Sequence, residues 1–123
     1  MKQVYRMETA QGEGVFMTGA VEAYRDASGQ NPGYMPTPCT DGIDLDYDID
    51  FCGFDSIRQL RHWFEYPEHY HHLDERGILI RLYEVDDQHV KHGYNQVAFV
   101  RHLATIVAEE KPSQFASKLY NLL

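Results

Sequence analysis

Four aspartates alternate with apolar residues near the middle of the chain, in the segment Ile43-Asp44-Leu45-Asp46-Tyr47-Asp48-Ile49-Asp50-Phe51. In an extended strand, successive side chains point to opposite faces. The alternation therefore predicts a β-strand over residues 43–51 with one apolar and one acidic face. Aspartate is a poor strand former, but we give the uninterrupted pattern more weight than this local preference. The acidic face comprises Asp44, Asp46, Asp48 and Asp50.

This acidic face has three possible uses. It can protect the edge of a sheet, because charged side chains discourage pairing with other strand edges. It can contact a basic protein, because carboxylates on alternate residues of a strand lie about 6.6 to 6.8 Å apart and form a line of charge like a nucleic-acid backbone. It can also begin a calcium loop, which uses the same alternate spacing. Such a loop needs Gly where the chain has Ile49 and Glu where it has Asp55, so we expect no calcium site.

Histidines are numerous, and several cluster in the sequence His69-Tyr70-His71-His72. On a helix His69 and His72 share a face, and Glu65 or Glu68 could complete a set of zinc ligands. A catalytic zinc helix instead carries two histidines four residues apart with a glutamate after the first. The chain lacks that motif, so we expect no metal site, and no sequence feature requires a cofactor.

Signatures of nucleophilic and phosphate-binding sites are weak. The turn Gln11-Gly12-Glu13-Gly14 lacks the Lys and Ser/Thr of a phosphate loop, and no Gly-x-Ser-x-Gly elbow occurs. Cys52 precedes a predicted helix, but neighbouring aspartates oppose a thiolate, so we expect a buried structural cysteine. The two cysteines, Cys39 and Cys52, fit neither a disulfide framework nor a zinc site with four cysteines.

The charge balance narrows the choice of partner. The 123 residues carry a formal net charge of −8, which argues against direct binding to nucleic acid. The same charge favours a basic protein as the partner. No apolar run approaches the roughly 18 to 20 residues of a membrane span. We therefore expect one domain over residues 1–123 in a reducing cytoplasm, that of the host cell if a phage encodes the protein.

The predicted elements give an α+β fold, a small antiparallel sheet with short helices packed on it. Strands are expected over 2–7 and 15–17, and a Pro/Gly-rich loop at about 26–40. A first helix is expected over 21–24, with Thr18 as its cap, and a second begins at Asp55 or Ser56. A third is expected over 68–76 and ends at Gly77. A fourth covers 102–110, and the last begins at Ser113. Strands 78–85 and 95–101 are expected to pair with each other. The predicted core contains Leu60, Phe64, Ile80, Leu82, Val97 and Phe99.

Several short sequences along nearly the whole chain support a family resemblance. They are Tyr5-Arg6, Gly12-Glu13-Gly14, Cys52-Gly53-Phe54-Asp55-Ser56 with Gln59-Leu60-Arg61-His62-Trp63-Phe64, Tyr83-Glu84-Val85 and Gln96-Val97-Ala98-Phe99. Together they resemble small uncharacterised accessory proteins of bacteriophages and prophages. The resemblance implies an origin in a mobile element and supplies no activity.

A fainter resemblance is to the ADP-ribosyltransferase fold. That family carries an Arg or His on its first strand, a Ser/Thr motif in the middle and a Glu or Gln on a late strand. The positions that match here are Arg6, Ser56 and Gln96. The chain departs from the pattern because no catalytic glutamate stands beside Gln96.

The leading hypothesis is a phage accessory protein that binds a basic host protein, such as a defence or nucleic-acid-handling factor, and could thereby inhibit it. Asp44, Asp46, Asp48 and Asp50 would make the contact. The alternative is an NAD-dependent enzyme centred on Arg6, Ser56 and Gln96, and we favour binding over catalysis. The sequence neither supports nor excludes a structural role in the virion.

Overall fold

A computed structural model describes residues 1–14, 21–28, 40–46 and 48–122. Within these ranges the chain forms an α+β fold, as the sequence predicts. The strands are β1 (Lys2–Thr9), β2 (Asp50–Gly53), β3 (Ile78–Val85), β4 (Val90–His92), β5 (Val97–Val100) and β6 (Thr105–Glu110). The α-helices are α1 (Val21–Ser28), α2 (Ile57–Trp63), α3 (His71–Glu75) and α4 (Pro112–Leu122). Single 3-10 turns cover Pro67–His69, Asp87–His89 and Arg101–Leu103.

The strands form two antiparallel sheets. The first sheet has the order β1-β3-β6, and the second sheet has the order β2-β5-β4. In the first sheet Val4 lies opposite Tyr83 and Met7 lies opposite Ile80. Side chains alternate along a strand, so these two pairs point to opposite faces. One face of the first sheet therefore packs on the helices and the other on the second sheet.

Each face has its own hydrophobic cluster. On the helical side, Met7, Ile78 and Ile80 pack with side chains from all four helices. The helical residues include Tyr24, Leu60, Trp63, Leu73, Phe115 and Leu119. Between the sheets lie Val4, Tyr83, Val85, Val97 and Phe99. Because β3 is covered on both faces, its sequence is apolar almost throughout, which is typical of a central strand.

Gly53 lets the second sheet approach the first closely. Tyr5 and Phe54 exchange backbone hydrogen bonds of 2.8 and 2.7 Å, which join β1 to the end of β2. A Cβ atom at Gly53 would lie 2.6 Å from Val4 Cγ1 and 2.7 Å from the Tyr5 carbonyl oxygen. Only glycine fits this approach, because any larger residue would push the two strands apart.

The predicted helix boundaries at two positions are confirmed. Ser56 caps α2, since its side chain accepts a hydrogen bond from the Gln59 backbone N–H at 3.1 Å. Gly77 follows α3 with φ +73°, the left-handed conformation that glycine adopts most easily. The expected start of the last helix at Ser113 is wrong, because α4 begins at Pro112, whose missing N–H costs no hydrogen bond in the first turn.

Other expectations are wrong. Strands β3 and β5 do not pair with each other, since β3 pairs with β1 and β6 while β5 pairs with β2 and β4. Residues 105–110, expected to be helical, form the edge strand β6. The expected helix 68–76 is divided into a 3-10 turn and α3, and α1 extends to Ser28. Leu82 is half-buried, whereas the other predicted core residues are buried.

Some expectations concern residues outside the described ranges. They are the strand over 15–17, the cap at Thr18 and most of the loop at 26–40. No helix among the described residues is long and apolar enough to cross a membrane.

Candidate functional site

The acidic segment does not form the predicted strand. Residues 43–46 have no regular secondary structure, residues 48 and 49 lie in a turn, and β2 begins only at Asp50. The Asp46 carbonyl accepts hydrogen bonds from the N–H groups of Ile49 at 3.1 Å and Asp50 at 2.8 Å. The Asp46 carboxylate also accepts from the Asp48 N–H at 3.1 Å. Aspartate makes such local bonds readily, and here they outweigh the alternation of apolar and acidic residues.

The four aspartates consequently do not share one face. Asp50 points inward with its side chain 1% exposed, and it accepts hydrogen bonds from Lys91 Nζ at 2.7 Å and from the Asp46 N–H at 3.0 Å. Its hydrogen bond to Lys91 raises the pKa of that lysine. Asp44, Asp46 and Asp48 are exposed. We call these three residues the acidic turn, and Asp50 is the residue that anchors it.

The acidic turn is fixed to the second sheet. Lys91, on β4, donates from Nζ both to Asp50 and to the Asp44 carbonyl oxygen, each at 2.7 Å. Because one ammonium group holds both ends of the segment, the exposed carboxylates between them are presented in a defined arrangement. None of the three exposed carboxylates forms a salt bridge with a described residue.

Exposed apolar groups stand on both sides of the acidic turn. Ile49, inside the segment, is 37% exposed, and Tyr94 is 86% exposed. The Tyr94 ring packs against Gly42, where an added Cβ would lie 3.3 Å from the ring. Carboxylates beside an accessible tyrosine and an aliphatic side chain are a composition that suits a protein interface.

Sequence reasoning missed Asp41, which organises the neighbouring loop. Its side chain is buried and accepts hydrogen bonds from the Asn95 N–H, the Asn95 side-chain amide and the Gln96 N–H at 2.8, 2.8 and 3.1 Å. The Asp41 carbonyl accepts from the Tyr94 N–H. The signal in the sequence is Asp41-Gly42, a common turn pair, and Gly42 has φ +88°.

A buried charge network surrounds Glu8, near the C-terminal end of β1. Glu8 is fully buried, and its carboxylate lies 3.0 Å from Arg6 Nε, 3.1 Å from Arg81 and 3.1 Å from Arg101. Tyr83 donates its hydroxyl to the same carboxylate at 2.8 Å. Burial lowers the pKa of Arg6, although Glu8 opposes the shift. The network holds three guanidinium groups around one buried carboxylate, and Arg81 also pairs with Glu109.

The three residues matched to ADP-ribosyltransferases do not meet in one site. Arg6 and Gln96 line a common cavity of about 90 Å³, whereas Ser56 lines a separate groove and acts as the α2 cap. Small-molecule sites are usually about 300 to 1,000 Å³, so this cavity is far too small for a dinucleotide. Arg6 is also occupied by Glu8 and by the Cys52 carbonyl oxygen. This geometry gives the resemblance no support.

The histidine cluster makes contacts within the fold, and Cys52, which the sequence predicted to be buried, is half-buried. The His72 ring contacts the rings of His69 and His71, and His72 Nδ1 lies 2.7 Å from Asp26. Among the described residues, no three His, Cys, Asp or Glu side chains are placed to hold a metal ion. Burial raises the pKa of the Cys52 thiol, with Asp50 adding to the shift and Arg6 opposing it. A protonated thiol at neutral pH is a poor nucleophile.

Comparison with known proteins identifies the family. Residues 1–113 match the family model described as Bacteriophage T4 Y00F protein. The match covers most of the 123 residues, so the chain belongs to the bacteriophage T4 Y00F protein family. The resemblance to small phage accessory proteins is thereby confirmed. Comparison with curated proteins and with solved structures gave no match.

Proposed function

We propose that this member of the bacteriophage T4 Y00F protein family acts by binding a basic protein of the bacterial host through the acidic turn. One observation carries the proposal: Asp44, Asp46 and Asp48 are exposed and form no salt bridge with a described residue, on a turn that Asp50 and Lys91 hold in place. Carboxylates already fixed in position lose little conformational freedom on binding, which favours affinity.

The structure changes how the acidic residues act. Three aspartates, not four, make the contact, since Asp50 is buried against Lys91. The regular spacing of a strand is absent, so the proposal does not depend on copying the phosphate repeat of a nucleic acid. It depends on exposed negative charge beside Tyr94 and Ile49, which add apolar contact area. Charge then guides the approach of the partner, and the apolar contacts slow its release.

The partner class follows from this surface. A basic surface large enough to receive three carboxylates is characteristic of proteins that bind nucleic acid. We therefore propose a host factor that handles nucleic acid, including a defence factor, as the partner. Because the acidic turn would occupy the surface that binds phosphate groups, its binding would inhibit the partner by competition.

The test compares three baits in parallel against a lysate of the bacterial host. They are the wild-type chain, the double variant Asp46→Asn/Asp48→Asn, and a control with the same change in charge, Glu68→Gln/Glu75→Gln. Asn can still accept the hydrogen bond that Asp46 receives from the Asp48 N–H. Glu68 and Glu75 are exposed on the helical side of the molecule. Mass spectrometry then identifies the proteins that each bait retains.

We expect basic proteins that the wild type and the control retain and the Asp46/Asp48 variant loses. For a partner found this way, the affinity of the wild type should fall as salt rises, and the variant should show a shallower dependence because fewer opposite charges meet. The partner's nucleic acid should displace the chain. If the double variant binds with wild-type affinity at low and high salt, the acidic turn is not the contact surface.

A further inference from the structure

A polar groove lies beside α2. Its volume is about 600 Å³, within the range of about 300 to 1,000 Å³ that small-ligand sites have. Every residue that lines it has a polar or charged side chain: Asp55, Ser56, Arg58, Gln59, Arg61, His62, Tyr94 and Asn95. A groove of this composition suits a polar ligand, and it is separate from the acidic turn except where Tyr94 borders both.

Two arginines in the groove have no partner of opposite charge among the described residues. Arg58 and Arg61 are three residues apart on α2, so their side chains share one face of the helix. Neither forms a hydrogen bond or an ion pair within the described part of the chain, and Arg61 Nε is buried without an acceptor.

The unpaired arginines contrast with the buried ones. Arg6, Arg81 and Arg101 all contact Glu8. Asp55 also lines the groove and opposes an anion there, but its carboxylate points toward His92, whose Nδ1 is 3.9 Å away. The guanidinium groups of Arg58 and Arg61 have no acceptor within the described part of the chain, so their accessible N–H groups can donate to a bound anion. Two adjacent guanidinium groups fit a phosphate, which accepts several charged hydrogen bonds at once.

The rest of the groove can recognise a planar polar group. Tyr94 offers an aromatic face that is 86% exposed, a surface on which a nucleobase can stack. The Asn95 amide is oriented by its bond to Asp41 at 2.8 Å, and the Gln59 amide by its bond from the Asp55 N–H at 2.9 Å. The Asn95 oxygen and the Gln59 nitrogen remain for the edge of a base. These groups are held in place before a ligand arrives.

We propose that this groove binds a mononucleotide, with Arg58 and Arg61 on the phosphate and Tyr94 stacked on the base. An acidic peptide would also meet the arginines, but it would leave the exposed aromatic face and the two oriented amides unused. The proposal does not rest on the acidic turn, although Tyr94 borders both surfaces.

Binding is measured by isothermal titration of the whole chain with each of the four ribonucleoside 5′-monophosphates, with the matching nucleosides, with inorganic phosphate and with an oligoglutamate peptide. We expect at least one nucleotide to bind, its nucleoside not to bind detectably, and phosphate and the peptide to bind at least about tenfold more weakly. Trp63 fluorescence reports folding of every variant, since this single tryptophan is buried and its Nε1 donates to the Asn95 carbonyl.

Three variants and two controls locate the site. Arg61→Gln and Arg58→Gln should each weaken nucleotide binding about tenfold or more, the loss expected when a charged hydrogen bond is removed. Tyr94→Ala should weaken it by a similar factor through lost stacking. Arg25 is an exposed arginine on α1 with no partner among the described residues, and Arg25→Gln should have no effect. Asp46→Asn/Asp48→Asn should leave nucleotide binding intact, so this proposal and the acidic turn can fail separately.

Several results would overturn the proposal. They are no binding by any of the four nucleotides, equal binding of phosphate or the peptide, and equal losses in Arg25→Gln and Arg61→Gln. The last two would show a general attraction of anions to surface charge.

Discussion

Replacing Glu8 with Gln is the sharpest test of the folded core. The side chain is fully buried, and three guanidinium groups and the Tyr83 hydroxyl converge on its carboxylate. Gln has nearly the same shape but carries no charge, and its amide nitrogen cannot accept a hydrogen bond. The substitution therefore leaves the arginines of the interior without the one buried carboxylate that they share.

The expected loss is about 3 kcal/mol of unfolding free energy, the lower end of the range of about 3 to 5 kcal/mol for breaking a buried ion pair. The lower end applies because Gln retains one oxygen that can accept a hydrogen bond, and because Arg81 keeps its pair with Glu109. In a chain of this length 1 kcal/mol corresponds to about 4 °C in melting temperature, so the melting temperature should fall by about 12 °C.

Urea unfolding followed by Trp63 fluorescence provides the measurement, with Glu109→Gln as the matched control. Glu109 also pairs with Arg81, at 3.0 Å, but its side chain is 50% exposed. A solvent-exposed pair of this kind contributes about 1 kcal/mol or less, so the control should unfold close to the wild type. The comparison thus separates the effect of burial from the effect of losing one carboxylate near Arg81.

Two results would refute this reasoning. If Glu8→Gln lost less than about 1 kcal/mol, the range expected for exposed pairs, the arginines would have to be stabilised without the carboxylate. The contacts of Arg6 and Arg101 with the Phe51 ring would then be the interactions that stabilise them. If Glu109→Gln lost as much as Glu8→Gln, burial would not be the property that sets the cost.

Two further predictions concern the core. Ile80→Ala should lower the unfolding free energy by about 2 to 5 kcal/mol because that side chain is buried. Leu82 is half-buried, so Leu82→Ala should lower it by about 1 to 2 kcal/mol, and urea unfolding distinguishes the two variants. Burial raises the pKa of Cys52 above its ordinary value of 9.0, so the unfolded chain loses this proton first and stability falls as pH rises through 9. Urea unfolding measures the unfolding free energy between pH 7 and 10, and this free energy should decline less in Cys52→Ala than in the wild type. Equal declines in the two proteins would contradict the assignment of this pH dependence to Cys52.

Local features of the fold could be predicted from the sequence because their causes lie within a few residues. The Ser56 cap needs only the polar side chain and the helix that follows it. Gly77 ends α3 because glycine tolerates its backbone conformation. The strand pairing could not be predicted in this way, because β1 and β3 are separated by most of the chain and no residue specifies the partner locally.

The acidic segment shows a competition between two local signals. Alternation predicted a strand, whereas aspartate's tendency to bond to nearby backbone groups favours a turn, and the turn forms. Residues 105–110 show a similar conflict: the β-branched Thr105, Ile106 and Val107 favour a strand, and β6 forms there instead of a helix. In both segments the intrinsic preference of the side chains proved more informative than our interpretation of the pattern.

The buried charges nearly cancel, so the surface carries most of the net charge of −8. Arg6, Arg81 and Arg101 lie largely in the interior around Glu8, and Asp41 and Asp50 are buried elsewhere, so three positive and three negative charges leave the surface. A strongly negative surface attracts basic proteins over long distances and repels free anions. The negative field of the whole molecule therefore adds to the attraction between the acidic turn and a basic partner. The groove would bind an anion against this field, and the two arginines without a partner among the described residues supply the positive charge that such binding needs.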